Sequence, residues 1–189
     1  MDIAIQRDTG AQVKTDSDEN LMARYAVGGD RAAFRTLFDR YAVRITAYFR
    51  RAVGDSAVAA DLAQTTFLHV HRARRDFDTS RSFRPWLFAI ASNVRREHWR
   101  RRQRKPEAPL EAGPESSVPP QATTASDRLV RRAVEQLPDN QREVILLRWY
   151  SELTFPEIAQ TLGIKTTAAK VRSHRAIKSL RALLGGADV

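Results

Sequence analysis

The sequence predicts an all-α protein in which a flexible, proline-rich linker joins two small helical domains. Apolar residues recur at steps of three and four in several segments on both sides of residues 105–125. The 105–125 stretch contains five of the eight prolines, three glutamates and almost no large apolar side chains, so it cannot pack a core. No segment of useful length shows the apolar and polar alternation of a strand.

The first domain is predicted to span residues 19–104, after a polar tail over 1–18. Acidic residues and the Gly28-Gly29 pair mark the two ends of a short first helix. Asp30 caps a second helix, which has the strongest amphipathic pattern in the chain and ends at Gly54. Asp55 caps a third helix, and the fourth covers 83–104 with Pro85 in its first turn. These four helices form one predicted unit.

The second domain is predicted to span residues 126–185 and to contain four helices. Val144, Ile145, Leu147 and Trp149 supply apolar mass to its second helix. The spacing of Thr154 and Glu157 is that of a capping box at the start of the third, which Gly163 ends. Only a tight turn, Thr161 to Lys165 ("TLGIK"), separates that helix from the last one. This arrangement is typical of a helix-turn-helix.

Composition points to a polyanionic partner. The 189 residues include 32 Lys and Arg against 22 Asp and Glu, for a formal charge of +10. Nucleic acid is the first candidate, and an anionic membrane surface is the second. No run approaches the roughly 18 apolar residues of a membrane span, and the polar start is unlike a signal peptide, so we expect a cytoplasmic protein without membrane insertion. The absence of cysteine excludes disulfides and Cys-based metal sites.

Catalytic motifs are missing from the sequence. His69 and His71 stand two residues apart, so on a helix they diverge and cannot share a metal ion. There is no glycine-rich phosphate loop, nucleophile elbow or His-Glu-x-x-His pattern. We therefore expect a protein that is not an enzyme and has no cofactor or metal.

The last helix has two clearly different sides. Ala169, Ser173 and Ala176 face one way and can pack on the preceding helices. The opposite side carries donors and one valine: Thr167, Lys170, Val171, His174, Arg175 and Lys178. Such a face is either simply solvated or reads the major groove of duplex DNA, and the preceding tight turn favours DNA.

The fourth helix carries an aromatic and basic strip. Phe88, Arg95, Trp99 and Arg102 align along it, and they are flanked by Asn93, Arg96 and Arg100. Duplex DNA hides the faces of its bases, whereas an unpaired strand offers both bases and phosphates. The strip therefore suits single-stranded nucleic acid, while Trp86, near the helix start, is expected in the core.

The third helix presents a further surface opposite its apolar stripe. Its members are Asp61, Gln64, Thr65, Leu68 and His71, an exposed leucine among polar residues. One exposed leucine is ordinary, so the spacing alone supports a protein contact only weakly.

Three stretches in this order resemble the sigma-70 family of bacterial RNA polymerase sigma factors, in its small extracytoplasmic-function (ECF) group. They are "DLAQTTF" at 61–67, "FRPWLFAIASNVRREHWRRR" at 83–102 and "LPDNQREVILLRWYSELTFPEIAQTLGI" at 137–164. The resemblance implies that residues 19–104 are a region 2 domain, which binds core polymerase and the melted minus-ten element. It implies that 126–185 are a region 4 domain, which reads the minus-thirty-five duplex.

Site residues follow from the same resemblance, position by position. Core polymerase would be contacted by Asp61, Gln64, Thr65 and Leu68. The melted minus-ten strand would be bound by Asp76, Ser80, Asn93, Arg95, Arg96, Trp99 and Arg100, with the loop 76–82 holding a flipped-out base. The minus-thirty-five groove would be read by the exposed face of the last helix, and the linker would thread the polymerase's active-site and RNA-exit path. A regulatory anti-sigma factor is also implied.

Two other functions remain open on the residues alone. A stand-alone helix-turn-helix regulator would bind duplex DNA tightly without polymerase and would not depend on Asp61 or Gln64. A single-strand or RNA-binding protein without promoter specificity would bind any sequence with the same steep salt dependence.

Overall fold

The computed structural model describes residues 16–104 and 125–185, and within these ranges the chain is helical with no strand. The helices are α1 (Asp18–Gly28), α2 (Arg31–Val53), α3 (Ser56–Arg72), α4 (Phe83–Arg104), α5 (Ala125–Gln136), α6 (Asp139–Ile145), α7 (Phe155–Leu162) and α8 (Thr166–Gly185). The predicted all-α class is confirmed. Residues 1–15 of the predicted tail and 105–124 of the predicted linker lie outside the described ranges.

The helix starts follow the capping residues in the sequence. The Asp30 carboxylate accepts hydrogen bonds from the Ala32 and Ala33 amides at 2.9 and 3.1 Å. Asp55 does the same at the start of α3. Thr154 and Glu157 form the predicted capping box of α7, with the Glu157 carboxylate 2.7 Å from the Thr154 amide. Each cap satisfies amides that have no partner within the helix.

The core of the first half is aromatic. Tyr48, Phe49 and Phe88 are fully buried, and the Tyr48 ring meets Phe49 and Phe88 edge to face at centroid distances of 5.2 and 6.0 Å. The prediction that Phe88 belongs to the exposed strip of α4 was therefore wrong. Because the tightly packed faces of α2 and α4 meet at this position, Phe88 supplies core volume and cannot contact nucleic acid.

Trp149 also departs from its predicted place. It was expected to add apolar mass to a continuous helix, but it is 51% exposed. After α6 the backbone widens into a π-helical turn over Leu146–Tyr150, which changes the angular spacing of the residues that follow. Leu146 and Leu147 keep their places in the core, whereas Trp149 points outward. Two residues after this turn, Glu152 has a φ of 56°, in the left-handed region.

The two halves of the chain pack against each other. Val144, Leu147 and Ile158 belong to the same apolar cluster as the core of the first half. Polar contacts cross the same boundary: Arg84 Nη2 donates to the Ser151 carbonyl at 2.6 Å, and the Thr161 hydroxyl donates to the Pro85 carbonyl at 3.3 Å. The two helical units therefore share a buried interface in which α4 packs against α7 and contacts α6 through ion pairs of its side chains.

Neither within 16–104 nor within 125–185 is there a helix with the length and apolar character to cross a bilayer.

Truncating the buried Phe88 to Ala should lower the free energy of unfolding by about 3–5 kcal/mol, because it leaves a cavity in a packed core. Urea denaturation followed by circular dichroism would measure this loss. Phe38→Ala is the matched control, since Phe38 is 41% exposed; its loss should be no more than about half as large. Equal losses for the two variants would contradict the assignment of Phe88 to the core.

Candidate nucleic-acid interface

The exposed face of α8 is formed as the sequence predicted. Thr167, Lys170, Val171, His174, Arg175 and Lys178 are all exposed, whereas the packing side is held by Ala169, Ser173 and Ala176. Small packing residues let α8 approach its neighbours closely, which leaves the long basic side chains free on the outer side. The result is a ridge of donors about one helix wide, a shape that a DNA major groove admits.

The turn before α8 fixes its direction. Gly163 adopts a left-handed φ of 63° and ends α7, and the Ile164 amide closes the helix by donating to the Ala159 carbonyl at 3.0 Å. At the start of α8 the Ala169 amide donates to the Lys165 carbonyl at 3.1 Å. A left-handed residue of this kind is where glycine is favoured, so the sequence encodes the sharp change of direction between α7 and α8.

The basic side of α4 divides into an exposed part and a covered part. Asn93, Arg96 and Arg100 are exposed, and the Arg96 Nη2 donates to the Asn93 side-chain oxygen at 2.9 Å. Arg95 is only 3% exposed and Trp99 is half-buried. The predicted aromatic and basic strip of α4 is therefore only partly exposed to solvent.

The covered residues contact α6 of the second half. Arg95 Nη1 lies 2.8 Å from Asp139 Oδ1, and its Nη2 lies 3.6 Å from Glu143 Oε1. The Arg142 guanidinium stands 5.3 Å from the centroid of the Trp99 ring, in cation–π geometry. One face of α6 thus engages both an arginine and the tryptophan of the predicted single-strand site.

Burial and neighbouring charges together shift the pKa values of the groups in this contact. Burial acts to raise the pKa of Asp139, but the hydrogen bond and the charge of Arg95 outweigh it and hold that pKa below its usual value. For Glu143 burial prevails, and its pKa is raised despite the nearby Arg95 and Arg96. Burial acts to lower the pKa of Arg95, but its anionic neighbours raise it, so the guanidinium remains charged.

A shallow cavity of about 320 Å³ opens between the end of α3 and the middle of α4. Its lining includes Asn93 from the predicted single-strand site together with His69, Arg72 and Ile90. His69 and Arg72 were not predicted as site residues. They stand three apart on the last turn of α3, so the signal was present in the sequence, but only the packing of α3 on α4 brings them beside Asn93.

The loop between α3 and α4 is anchored by aromatic packing. Phe77 is buried, with its ring centroid 5.9 Å from that of Phe83 and 5.0 Å from that of Trp86. Trp86 packs against the core as predicted. The residues on either side of Phe77 are exposed, including both predicted residues, Asp76 before it and Ser80 after it.

Asp78 organises the exposed end of this loop. Its Oδ1 accepts hydrogen bonds from the Ser80 hydroxyl at 2.7 Å and from the Ser80 amide at 2.9 Å. These hydrogen bonds lower the pKa of Asp78. Local hydrogen bonds of this kind pre-form a turn, so the position of Ser80 is set before any ligand binds.

The predicted protein-binding face of α3 is present on the surface. Asp61 and Gln64 are exposed, Leu68 is 49% exposed and Thr65 is half-buried. At the end of this face the Tyr25 hydroxyl of α1 contacts His71 Nδ1. The face therefore rests on a rigid pair of helices and offers one apolar side chain surrounded by polar ones.

Metal-binding geometry is not found in this part of the molecule. Across the described residues, no group of three or more His, Asp or Glu side chains is arranged to hold a metal ion.

Two known protein-family regions match this chain, one in each of its two helical halves. Sigma-70 region 2 matches residues 37–105, and Sigma-70 region 4 matches residues 127–180. The first match contains α3, α4 and most of α2, and the second contains α6, α7 and most of α8. The two predicted binding regions therefore fall within two separate family regions.

Individual relatives match along most of their length. The RNA polymerase sigma factor CarQ of Myxococcus xanthus is 37% identical over 161 residues, which cover 83% of this chain and 92% of CarQ. The ECF RNA polymerase sigma factor SigF of Caulobacter vibrioides is 36% identical over 181 residues, covering 92% of this chain and 99% of SigF.

A solved structure agrees with these relationships. CnrH, determined in complex with the cytosolic domain of CnrY, has a TM-score of 0.75 and 30% identity, with 92% of this chain and 100% of that chain covered. The two family-region matches, the two near-full-length relatives and the solved structure all indicate the same family. The chain belongs to the ECF group of the sigma-70 family, the RNA polymerase sigma factors that recognise promoter elements and initiate transcription.

Proposed function

We propose that this sigma factor acts purely by binding, with no catalytic step of its own, and that it works in the cytoplasm with core RNA polymerase. The observation that carries the proposal is the division of binding surfaces among α3, α4 and α8, each within one family region. A polymerase subunit that selects promoters needs a protein contact, a single-strand contact and a duplex contact. The chain offers one surface suited to each.

The polymerase contact is proposed for the outer face of α3. Leu68 is a half-exposed apolar side chain, flanked by the exposed Asp61 and Gln64 and the half-buried Thr65. An apolar anchor inside a polar rim is the usual make-up of an energetically important contact. The face also lies on the side of α3 that does not pack against the core.

The minus-ten contact is proposed for α4 and the groove beside it. Asn93 and Arg72 line a cavity large enough for an unstacked base, and Arg96 and Arg100 supply exposed positive charge nearby. Asp76 and Ser80 lie on the pre-formed loop that precedes α4. Arg95 and Trp99, which contact Asp139 and Arg142 of α6, complete the proposed set.

The minus-thirty-five contact is proposed for the exposed side of α8. Lys170 and Arg175 can reach guanine edges or phosphates, and Val171, 48% exposed, suits the methyl group of thymine. Thr167, His174 and Lys178 extend the same surface along the helix.

An anti-sigma factor is the proposed regulator. The sigma factor RpoE of Bartonella quintana, which shares this fold at 24% identity and a TM-score of 0.66, was solved with the anti-sigma factor NepR. We expect affinity purification of the native protein from unstressed cells to recover a stoichiometric partner that suppresses transcription. Recovery of an unaccompanied, fully active protein would contradict this expectation.

Replacing Leu68 with Asp should weaken binding to sigma-free core polymerase at least tenfold, because a charge would enter the apolar centre of the contact. A tenfold loss corresponds to about 1.4 kcal/mol. Val43→Asp is the control, since Val43 is a more exposed valine on α2, outside the proposed face. Fluorescence anisotropy of each labelled variant, titrated with unlabelled core polymerase, would measure both affinities. If the two variants bind equally well, the α3 face is not the polymerase contact.

Trp99→Ala should impair promoter opening more than duplex recognition, and Arg175→Ala should do the reverse. Loss of base stacking is expected to reduce opening by about 5-fold to 150-fold, from a stacking contribution of about 1–3 kcal/mol. Permanganate reactivity of unpaired thymines would report opening by the polymerase complex, and gel shift of the duplex element would report recognition. Equal losses by each variant in both assays would contradict the division of labour between α4 and α8.

A further inference from the structure

The loop 76–82 is tied to α1 at both of its ends. Before the loop, the Arg74 guanidinium stands 5.9 Å from the centroid of the Tyr25 ring. After the loop, the amide of Phe83, the first residue of α4, donates to Glu19 Oε1 at 2.9 Å. Tyr25 and Glu19 both belong to α1. Two separate contacts with one helix therefore bracket the loop that carries part of the proposed minus-ten site.

The Glu19 contact is a helix cap supplied from a distant part of the sequence. An amide in the first turn of a helix has no carbonyl partner within the helix, so it needs an acceptor from elsewhere. For α2 and α3 this acceptor is the aspartate directly before the helix, whereas for α4 it is Glu19, 64 residues before Phe83. A carboxylate suits this position because the N-terminal end of a helix carries partial positive charge. The start of α4 is therefore fixed with respect to α1.

The first turn of α1 is itself held firmly, so it can serve as a fixed support. Asp18, next to Glu19, accepts a hydrogen bond from the Tyr41 hydroxyl and pairs with Arg40 Nη1 at 2.6 Å, both on α2. The Tyr41 ring in turn meets the Phe83 ring edge to face, at a centroid distance of 5.5 Å. Two adjacent carboxylates of α1 thus join this helix to α2 through Asp18 and to α4 through Glu19.

The loop between these two supports is ordered by its own hydrogen bonds. Ser80 donates to the Asp78 carboxylate through both its hydroxyl and its amide, and the Arg81 amide donates to the Asp78 carbonyl at 3.0 Å. Because the turn is formed locally, its place on the protein is decided by where its two ends are attached. A displacement of the first turn of α4 would therefore move Ser80, and the exposed Asp76 with it, relative to the rest of the proposed single-strand site.

We infer that Glu19 is a positioning residue for minus-ten recognition: its carboxylate fixes the start of α4, and with it the loop 76–82, in the arrangement that receives the melted strand. The inference rests on the proposed contact of this loop and α4 with the minus-ten strand. Glu19 acts through the Phe83 amide and does not itself touch DNA. Support of this kind matters because a binding site works only when its groups are held within about 0.5 Å of the productive geometry.

Three variants of the full-length protein test the hydrogen bond itself. Glu19→Ala removes the acceptor, whereas Glu19→Gln keeps a side-chain carbonyl that can accept the same hydrogen bond. Asp39→Ala is the charge-matched control, since it removes an exposed carboxylate of α2. Amide hydrogen exchange without DNA should be about 2-fold to 30-fold faster at Phe83 in Glu19→Ala, the range expected for loss of a helix cap. Exchange at Phe83 should stay near that of the unaltered chain in the other two variants.

Promoter opening is the functional readout, followed by permanganate reactivity of unpaired thymines in complexes of each variant with core polymerase. Glu19→Ala should reduce opening at least about threefold, because only molecules with an ordered start of α4 can receive the strand. Glu19→Gln should restore most of the opening. Binding to core polymerase and to the isolated minus-thirty-five duplex should be unchanged in both variants. A residue that served only overall stability would lower all three measurements together, so a selective loss of opening identifies positioning.

Three results would overturn the inference. Unchanged exchange at Phe83 in Glu19→Ala would show that Glu19 does not hold the start of α4. Faster exchange with unimpaired opening would show that this support is not needed for recognition. Equal losses of opening, polymerase binding and duplex binding would assign Glu19 to general folding.

A further variant separates failure of this inference from failure of the proposed loop contact. Asp76→Ala combined with Ser80→Ala removes the side chains of the loop that are proposed to meet the melted strand. If this pair impairs opening and Glu19→Ala does not, only the role of Glu19 is refuted. If the pair leaves opening unchanged, the proposed minus-ten contact of the loop is refuted, and the positioning role of Glu19 with it.

Discussion

The buried guanidinium of Arg95 is the constraint on which the arrangement of the two halves depends. A charge that is 3% exposed requires counter-charges, and its neighbours on α4 cannot provide them. Asp139 and Glu143 do so from α6, and the apolar residues around them complete the seal. Since a buried ion pair adds little net stability, its more informative effect is on specificity, because it fixes which face of region 4 meets α4.

The packing of α6 on α4 leaves the three proposed binding surfaces unequally exposed. With α6 packed on α4, the outer sides of α3 and α8 both remain free, while Arg95 and Trp99 are withheld. Exposed Arg96 and Arg100 keep part of the positive charge of α4 available to solvent. On the proposed assignment, the surfaces for polymerase and duplex DNA are therefore accessible, whereas part of the proposed single-strand surface is covered by α6.

Sequence periodicity predicted most of the fold and one complete surface. The caps at Asp30, Asp55 and Thr154 are local hydrogen bonds, so residue type and spacing are enough to place them. The exposed side of α8 was predicted for a similar reason. Small residues such as Ala169 mark the side of the helix that packs against its neighbours. Helix caps and the packing side of α8 depend on residues close together in the sequence, so they can be predicted from it.

The predictions were wrong or incomplete mainly for residues whose burial depends on contacts with residues distant in the sequence. Helical phase placed Phe88 and Arg95 on one side of α4, but only the packing of α2 and α6 determines that both are buried. Trp149 was misplaced because a π-helical turn breaks the period that the prediction assumed. His69 and Arg72 were missed because their cavity exists only where α3 meets α4. In each of the cases involving Phe88, Arg95, His69 and Arg72, the residue spacing within one helix was visible, but the partner helix that decides the environment was not.

Run-off transcription provides the most direct measurement of the central claim, that this chain directs polymerase to promoters. Sigma-free bacterial core polymerase would be incubated with sheared genomic DNA of the host, with and without the protein. A sigma factor is expected to yield discrete new transcripts, whose start sites would define both promoter elements. The absence of such transcripts, together with a failure of the protein to co-migrate with core polymerase, would contradict the assignment and favour a stand-alone DNA-binding regulator.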